Sequence, residues 1–428
     1  MVESEFDPRL NTEIIEKSKD SDYIIKEVEI EHLKMKFETP FKVLYGKELR
    51  KYVVDGIVED VDNPIFEIGS YISNPRSFRK LFNILENYGI NRVSELNKFF
   101  RIRDDLYNAS LTTISAVFSR NPFVENKFKD GILPPLDIDS YGILLDYIHT
   151  ASKSMVLVPD IRIETSGRKI IDLKDYVEII DESVKMLSEF NKKPIFVPIQ
   201  IQLSKKNMEK LLRHYKRKGY TNLWINFNAS HIGGRYFSRV RTLIRMIDKI
   251  IGLNNVVLYY SHIKREIDPN ISDDYVLASD ILSQFFACDF IGINREPQIV
   301  FDIPEDKFKE YIAKKGYDSK EEYQQDLKLH KSRVFDPESY YYYKINVYPH
   351  KLQVDKNILL KKEINNLYNS FLLYKEVENT KKFVEEEKKV KPYLKNKKAV
   401  IEGNVLNEII PTSEEVGILD NLLSKFRK

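Results

Sequence analysis

The sequence predicts an α/β protein: a β/α (TIM-type) barrel with an N-terminal strand segment and a C-terminal helical extension. Three observations carry that expectation. Residues 155–294 contain five short apolar runs, MVLVPDI (155–161), IFVPIQI (195–201), LWINFN (223–228), VVLYYSHI (256–263) and DFIGIN (289–294). Helical patterns rather than hairpin turns separate them. Val177, Ile180, Val184 and Leu187 share one face, Met208, Leu211, Leu212 and Tyr215 a second, and Val240, Leu243, Ile244, Ile247, Ile250 and Ile251 a third. Apolar strands alternating with amphipathic helices imply parallel strands covered on both faces. No nucleotide-binding glycine fingerprint accompanies them, which favours a barrel over an open doubly wound sheet.

Taken in order, residues 1–39 read as an N-terminal extension, a charged start leading to an edge strand or short helix. The barrel is expected over 40–300. It opens with short strands at FKVLY (41–45), YVVDGIVED (52–60) and IFEIGSYI (65–72). Residues 76–128 read as helical, with Phe78, Leu81, Phe82 and Leu85 on one face, and 131–140 as a loop starting a helix capped by Asp139 or Ser140. A helical and strand extension fills 301–400. It holds a charged helical region to 335, the run SYYYYKINVYPH (339–350) and a long helix from Ile364 to about Lys389. The tail, 401–428, has one short amphipathic pattern from Ile418 to Phe426.

At 428 residues with 42% hydrophobic content, the chain can bury a sizeable core. The net charge of +3 confines any nucleic-acid surface to a local patch. A single cysteine, Cys288, excludes internal disulfides and multi-cysteine metal centres. No apolar run is long enough to span a bilayer and the acidic start is unlike a signal peptide, so a cytoplasmic location without membrane partners is expected.

Polar residues interrupt the strands near their C-terminal ends: Asp160, Gln200, Asn226, Asn228, His262 and Asn294. That end of a barrel is where active sites are built. A carboxylate accepts from an N1–H and exocyclic amine, and an amide donates to a carbonyl, so Asp160 and Gln200 suit the edge of a guanine-type base. His231 and His262 lack a second ligand at recognisable spacing, so no metal is expected. Lys205, Lys206, Arg213, Lys216, Arg217 and Lys218 on one helix, with Arg235, Arg239, Arg241 and Arg245 on the next, would form one basic patch. The Gly233-Gly234-Arg235 turn reads as an ordinary βα loop, and of the tyrosines at 340–343 only alternate ones could stack on bases.

Four segments together resemble the tRNA-guanine transglycosylase superfamily of queuine- and archaeosine-type base-exchange enzymes. They are FEIGSY (66–71), VLVPDI (156–161), IFVPIQIQLSKKNMEKLLRHYKRKGYTNLWIN (195–226) and ILSQFFACDFIGIN (281–294); INNLYNSFLLYKEVENTKKFVEE (364–386) resembles the family's long C-terminal helix. The resemblance implies a β/α barrel that exchanges guanine in tRNA or DNA for a 7-deazaguanine base, without a cofactor. It implies base-binding by Asp160 and Gln200 and places Glu67 at the aspartate of the family's strand exit; Asn228, at a strand end, is a further base-binding candidate, Asp289 a second catalytic candidate, and the basic patch would bring Arg213, Arg217, Arg235 and Arg239 to nucleic acid. Two departures qualify it. The zinc-site cysteines are missing, and the family's nucleophilic aspartate aligns with Gly292, so the attacking carboxylate is Asp289 or Glu67, or exchange is lost. The competing expectations are a catalytically degenerate nucleic-acid-binding or partner subunit, in a homo- or hetero-oligomer, and a barrel enzyme acting on a small metabolite.

Overall fold

A computed structural model describes residues 10–58, 61–129, 131–165, 168–190, 192–265, 273–296 and 305–410. Eight parallel strands follow one another around a closed barrel in chain order. The first is made of Phe41–Lys42 and Leu44–Tyr45, the second is Ile65–Ile72, the third Leu111–Phe118. Val156–Leu157 with Asp160–Ile161 make the fourth; Ile195–Gln200, Asn222–Asn226, Val257–Ser261 and Phe290–Ile291 complete the ring. The first and fourth strands each pair one neighbour with their lower half and the other neighbour with their upper half. In the fourth, the break falls at Pro159, which has no N–H for a ladder. Phe290 pairs with Phe41 and closes the cylinder.

The alternation of a strand places Phe41, Ile65, Val117, Met155, Leu157, Phe196, Trp224, Val257, Tyr259 and Phe290 in one cluster inside the barrel. The opposite faces pack on the outer helices. Leu173–Ser188, Lys205–Lys218 and Arg235–Ile250 follow strands four, five and six as the apolar spacing predicts. Ser204 caps the second of these through the Asn207 N–H, and Gly219, at φ 73°, ends it.

Two sequence expectations need correction. The described part of the expected 52–60 strand, residues 52–58, is not one: Lys51–Asp55 is a short helix. The segment 76–128 is helical only in part. Pro75–Asn87, Arg92–Phe100 and Asp104–Ala109 are helices, but Leu111–Phe118 is the third barrel strand. Its hydroxyls do structural work that hides it from an apolar pattern. Thr112 Oγ1 and Thr113 Oγ1 donate to the carbonyls of Ala151 and Met155, and Ser152 Oγ receives the Ile114 N–H, so the strand grips the chain entering strand four. The cap of helix Ile138–Ala151 is Asp137, which accepts from the Ser140 N–H.

The N-terminal segment is a three-stranded antiparallel sheet, Asn11–Lys17, Ile24–Ile30 and Met35–Thr39. Val28, Ile30 and Phe37 join the cluster inside the barrel, so this sheet floors it. Asp289 lies here, at the N-terminal end of strand eight. Lys26 Nζ is 3.0 Å from Asp289 Oδ2, and both side chains are buried. Thr39 Oγ1 and the Leu258 N–H also donate to this carboxylate, and Lys26 donates to the Val256 carbonyl. Asp289, one of the two candidate attacking carboxylates, therefore does not face the mouth. Three residues before Gly292, it locks the floor to strands seven and eight.

After strand eight, helices Glu305–Lys314 and Lys320–Lys331 lead to strands Val334–Asp336 and Tyr341–Tyr343. The latter pairs with Tyr275–Leu277 from the loop after strand seven. Helix Lys362–Glu387 then packs against both parts of strand one. Among the described residues no helix is long and apolar enough to cross a membrane. The amphipathic pattern at 418–426 lies outside the described residues.

Removing one member of a buried ion pair leaves its partner charged and uncompensated. Lys26→Met should therefore lower unfolding free energy by about 3–5 kcal/mol in urea titrations. A change near zero would mean that Asp289 is satisfied without the lysine.

Candidate active site

The barrel interior turns polar at its C-terminal end. Four inward positions there carry little or no side chain: Gly69, Ser115, Ser261 and Gly292. Into this space Glu67 reaches from strand two, with no exposure to solvent. A Cβ at Gly292 would lie 2.2 Å from Glu67 Oε2 and 2.6 Å from Ser261 Cβ. Glycine at 292 is what lets the carboxyl sit against strand eight.

Every neighbouring strand contributes a partner. Tyr259 OH and the Ile293 N–H each lie 2.7 Å from Glu67 Oε2. Ser115 Oγ is 2.5 Å from Oε1 and 3.0 Å from His262 Nε2. Lys42, buried on strand one, donates to the Gly292 carbonyl at 2.5 Å. Burial raises the Glu67 carboxyl above its ordinary range, outweighing the hydrogen bonds it shares with Ser115, Tyr259 and the Ile293 N–H. Burial likewise lowers His262 to about 3, helped by the nearby Arg295 guanidinium, and Lys42 to about 8.

A second carboxyl stands beyond His262. His262 Nδ1 is 3.2 Å from Asn226 Oδ1, and Asn226 Nδ2 donates to Asp160 Oδ2 at 2.6 Å. Tyr176 OH and Gln200 Nε2 donate to Asp160 Oδ1, each at 2.8 Å. Burial pushes Asp160 up to about 6 despite these three donors. Asp160 and Gln200 thus converge as expected, but on each other and not on an open pocket between them. Gln200 is further engaged by the Ile161 carbonyl and the Ile163 N–H. Glu67 is inside the barrel, below the mouth.

The residues over this layer are held tightly. His262, Asn228 and Ala229 have φ of 58°, 49° and 62°, left-handed conformations adjacent in space at the ends of strands six and seven. Such strain persists only where surrounding contacts impose it, and it concentrates at functional sites. Arg295 Nη1 donates to Asn228 Oδ1 at 2.7 Å, and its guanidinium lies 3.2 Å from the Tyr71 ring centroid. Asn228 is therefore positioned at the mouth, with its side-chain oxygen turned to Arg295. Ile293 packs on Gly69, where a Cβ would meet its Cδ1 at 2.3 Å.

Cations crowd the loops that leave the strands. Arg76, Lys127, Lys129, Lys205 and Lys206 are exposed and Arg120, Arg162, Lys264 and Arg295 half-buried, interspersed with the carboxylates Glu48, Glu125, Asp137, Asp172, Asp273, Asp274 and Glu296. The patch expected from the two helices is thinner. Arg213 pairs with Glu209, Lys218 with Asp181, and Arg241 is buried against the Glu408 carbonyl. Arg217 is exposed and Arg239 half-buried; the Arg235 side chain lies outside the described residues. The tyrosines are not a stacking platform. Tyr340, Tyr341 and Tyr342 are buried and donate to Glu376, Glu402 and Asp280. His231 packs its ring on Tyr236, and no described group of His, Cys, Asp and Glu could hold a metal ion.

Sequence reasoning misses Ser115 and Tyr259. A hydroxyl every second residue in Thr113 and Ser115 is a signal for an inward polar face, but it needs the strand to be recognised first.

Removing Asp160 takes an acceptor from three buried donors, of which Gln200 Nε2 and Tyr176 OH keep the Ile161 and Pro198 carbonyls and Asn226 Nδ2 is left unpaired, at about 1–3 kcal/mol. The raised Asp160 pKa adds a pH dependence. Because the folded value of about 6 lies above the ordinary 3.8, its stabilisation is full below about pH 4 and is lost as pH rises through 6. The stability gap between wild type and Asp160→Ala should narrow by about 3 kcal/mol from about pH 4 to about pH 7. Urea midpoints measured across that window check it; a constant or widening gap would contradict the burial argument.

No family model and no curated protein matches the chain. Among solved structures, a double mutant of endo-β-1,4-mannanase from Cellulomonas fimi is 14% identical over 65% of this chain and 71% of its own, with a TM-score of 0.36. GH26C from Muricauda sp. is 11% identical over 64% and 83%, with a TM-score of 0.36. The N-terminal domain of a putative aldolase from Bacteroides vulgatus is 14% identical over 87% and 94%, with a TM-score of 0.32. Likenesses this distant do not bear on the chemistry; the barrel stands on its own strand pairing.

Proposed function

We propose that this chain is a β/α-barrel enzyme of the transglycosylase type, acting on a guanine-type base in tRNA or DNA with Glu67 as its reacting carboxyl. The observation that carries the reading is the position of Glu67. The resemblance calls for a nucleophilic carboxylate at 292, where this chain has glycine. The Glu67 carboxyl lies against that glycine, supplied from strand two instead of strand eight. The cationic loops around the same mouth suit a phosphate backbone.

In this reading the Glu67 carboxylate attacks the ribose C1′. The C1′–N9 bond breaks, its electron pair leaves with the old base, and that base takes up a proton. The incoming 7-deazaguanine gives up its ring N–H proton and attacks C1′, which frees Glu67. Asp160, Gln200 and Asn228 form the side that reads the base. Asp160 and Gln200 must exchange their mutual bond for bonds to the base, and Arg295 must part from Tyr71 to admit it.

A small-metabolite substrate is the second reading, favoured by the enclosure of Glu67 and Asp160. Incubation with labelled 7-deazaguanine and either tRNA or duplex DNA separates the two. Base exchange should be measurable for wild type and fall by a factor of about 10³ or more in Glu67→Gln, as expected for loss of a nucleophile. Salt-dependent retention of nucleic acid without exchange would indicate a catalytically degenerate binder. Neither retention nor exchange would leave the small-metabolite reading.

A further inference from the structure

We propose that Glu67 holds a proton in the resting protein, and that Ser115 and His262 form the relay that removes it when the carboxylate is needed. The inference deepens the role assigned to Glu67 above and rests on that reading for its catalytic meaning.

The direction of each hydrogen bond follows from a group whose orientation is fixed. The Asn228 backbone N–H donates to Asn226 Oδ1 at 2.9 Å, and Asn226 Nδ2 donates to Asp160 Oδ2. A backbone N–H cannot accept, so the Asn226 amide has one orientation and its Oδ1 is an acceptor only. His262 Nδ1, 3.2 Å away, must therefore carry a hydrogen. The ring is 3% exposed and has the Arg295 cation nearby, both of which oppose a second proton in the resting protein. Its Nε2 is then an acceptor, and the hydrogen it accepts is that of Ser115. A serine hydroxyl has only one. Ser115 Oγ and Glu67 Oε1, 2.5 Å apart, still need a proton between them, and Glu67 alone remains to supply it.

The other groups around Glu67 agree. On Oε2 it accepts from Tyr259 OH and the Ile293 N–H, which leaves Oε1 for the proton. Lys42 on strand one points its ammonium at the Ile291 and Gly292 carbonyls, not at the carboxyl. Asp280 takes hydrogen bonds from Asn294 and Tyr342, and Asp160 lies on the far side of Asn226. Direct transfer to His262 is too long, since Nε2 is 3.7 Å from Glu67 Oε1. Through Ser115 it takes two short moves. The Glu67 O–H bond breaks as Ser115 Oγ gains that proton, and Ser115 gives its own to His262 Nε2. The product is a carboxylate and an imidazolium 3.7 Å apart, whose mutual attraction has to offset the burial and the Arg295 charge that keep the ring neutral at rest, and nothing external is consumed. Ser115 and His262 are positioning residues here, because neither reaches the substrate.

The test uses the full chain without nucleic acid or 7-deazaguanine, so its outcome is independent of whether base exchange occurs. Infrared difference spectra of wild type against Glu67→Gln at neutral pH should contain the carbonyl stretch of a protonated carboxyl. Nitrogen NMR of the histidine rings, assigned with His262→Gln, should show His262 neutral with its proton on Nδ1. Ser115→Ala should leave the carboxyl stretch in place while removing the hydrogen-bond shift at His262 Nε2; if that variant does not fold, the two wild-type spectra decide alone. An ionised Glu67, or a His262 that is imidazolium or protonated on Nε2, would overturn the relay.

Discussion

The structure depends on one buried carboxyl. Placing an acid inside a barrel is unfavourable unless partners replace water on both oxygens. Glu67 meets that demand by bridging the interior, from strand two to Ser115 on strand three, Tyr259 on strand seven and the backbone of strand eight. Each partner constrains the sequence further. The space exists because positions 69, 115, 261 and 292 are small, and the ring of Tyr259 reaches it because Trp224 and Phe290 fill the level below. His262 and Asn228 accept left-handed backbones to complete the network. Local strain is tolerated where so many bonds converge.

The two ends of the barrel have been given opposite tasks. At the floor, Asp289 is neutralised by Lys26 and saturated by Thr39 and a backbone amide, with an antiparallel sheet sealing the cylinder. Its geometry favours rigidity. At the mouth, Glu67 and Asp160 have hydrogen bonds but no direct cation partner, and burial raises the pKa of both above the ordinary carboxyl range. The floor holds the strands in register so that the mouth can hold two carboxyls apart on one chain of side chains.

Much of the fold was legible because parallel strands buried on both faces leave continuous apolar runs. The five units from 155 to 294 and the long helix Lys362–Glu387 follow that rule. Strand three broke it: LTTISAVF spends Thr112, Thr113 and Ser115 on hydrogen bonds, so its pattern resembled neither a buried strand nor an apolar stripe. At 52–60 the β-branched run YVVDGIV suggested a strand, but tertiary packing turned Lys51–Asp55 into a helical turn. Composition located Asp160, Gln200, Asn226 and His262 at strand ends, and all four sit in one network. It could not show that Asp160 and Gln200 bond to each other, because that depends on the break at Pro159 turning Asp160 inward. Nor could it separate the two ends of DFIGIN, where Asp289 belongs to the floor and Gly292 to the mouth.

The central claim is that Gly292 is glycine because the Glu67 carboxyl, with Ser261 Cβ and the Tyr259 ring edge beside it, occupies its side-chain space. A double-mutant cycle of Gly292→Ala with Glu67→Ala tests it most directly, read as unfolding free energy. The account predicts that Gly292→Ala is strongly destabilising in wild type and markedly less so once Glu67 is removed, with a coupling of about 1–3 kcal/mol. Strict additivity of the two substitutions would contradict it.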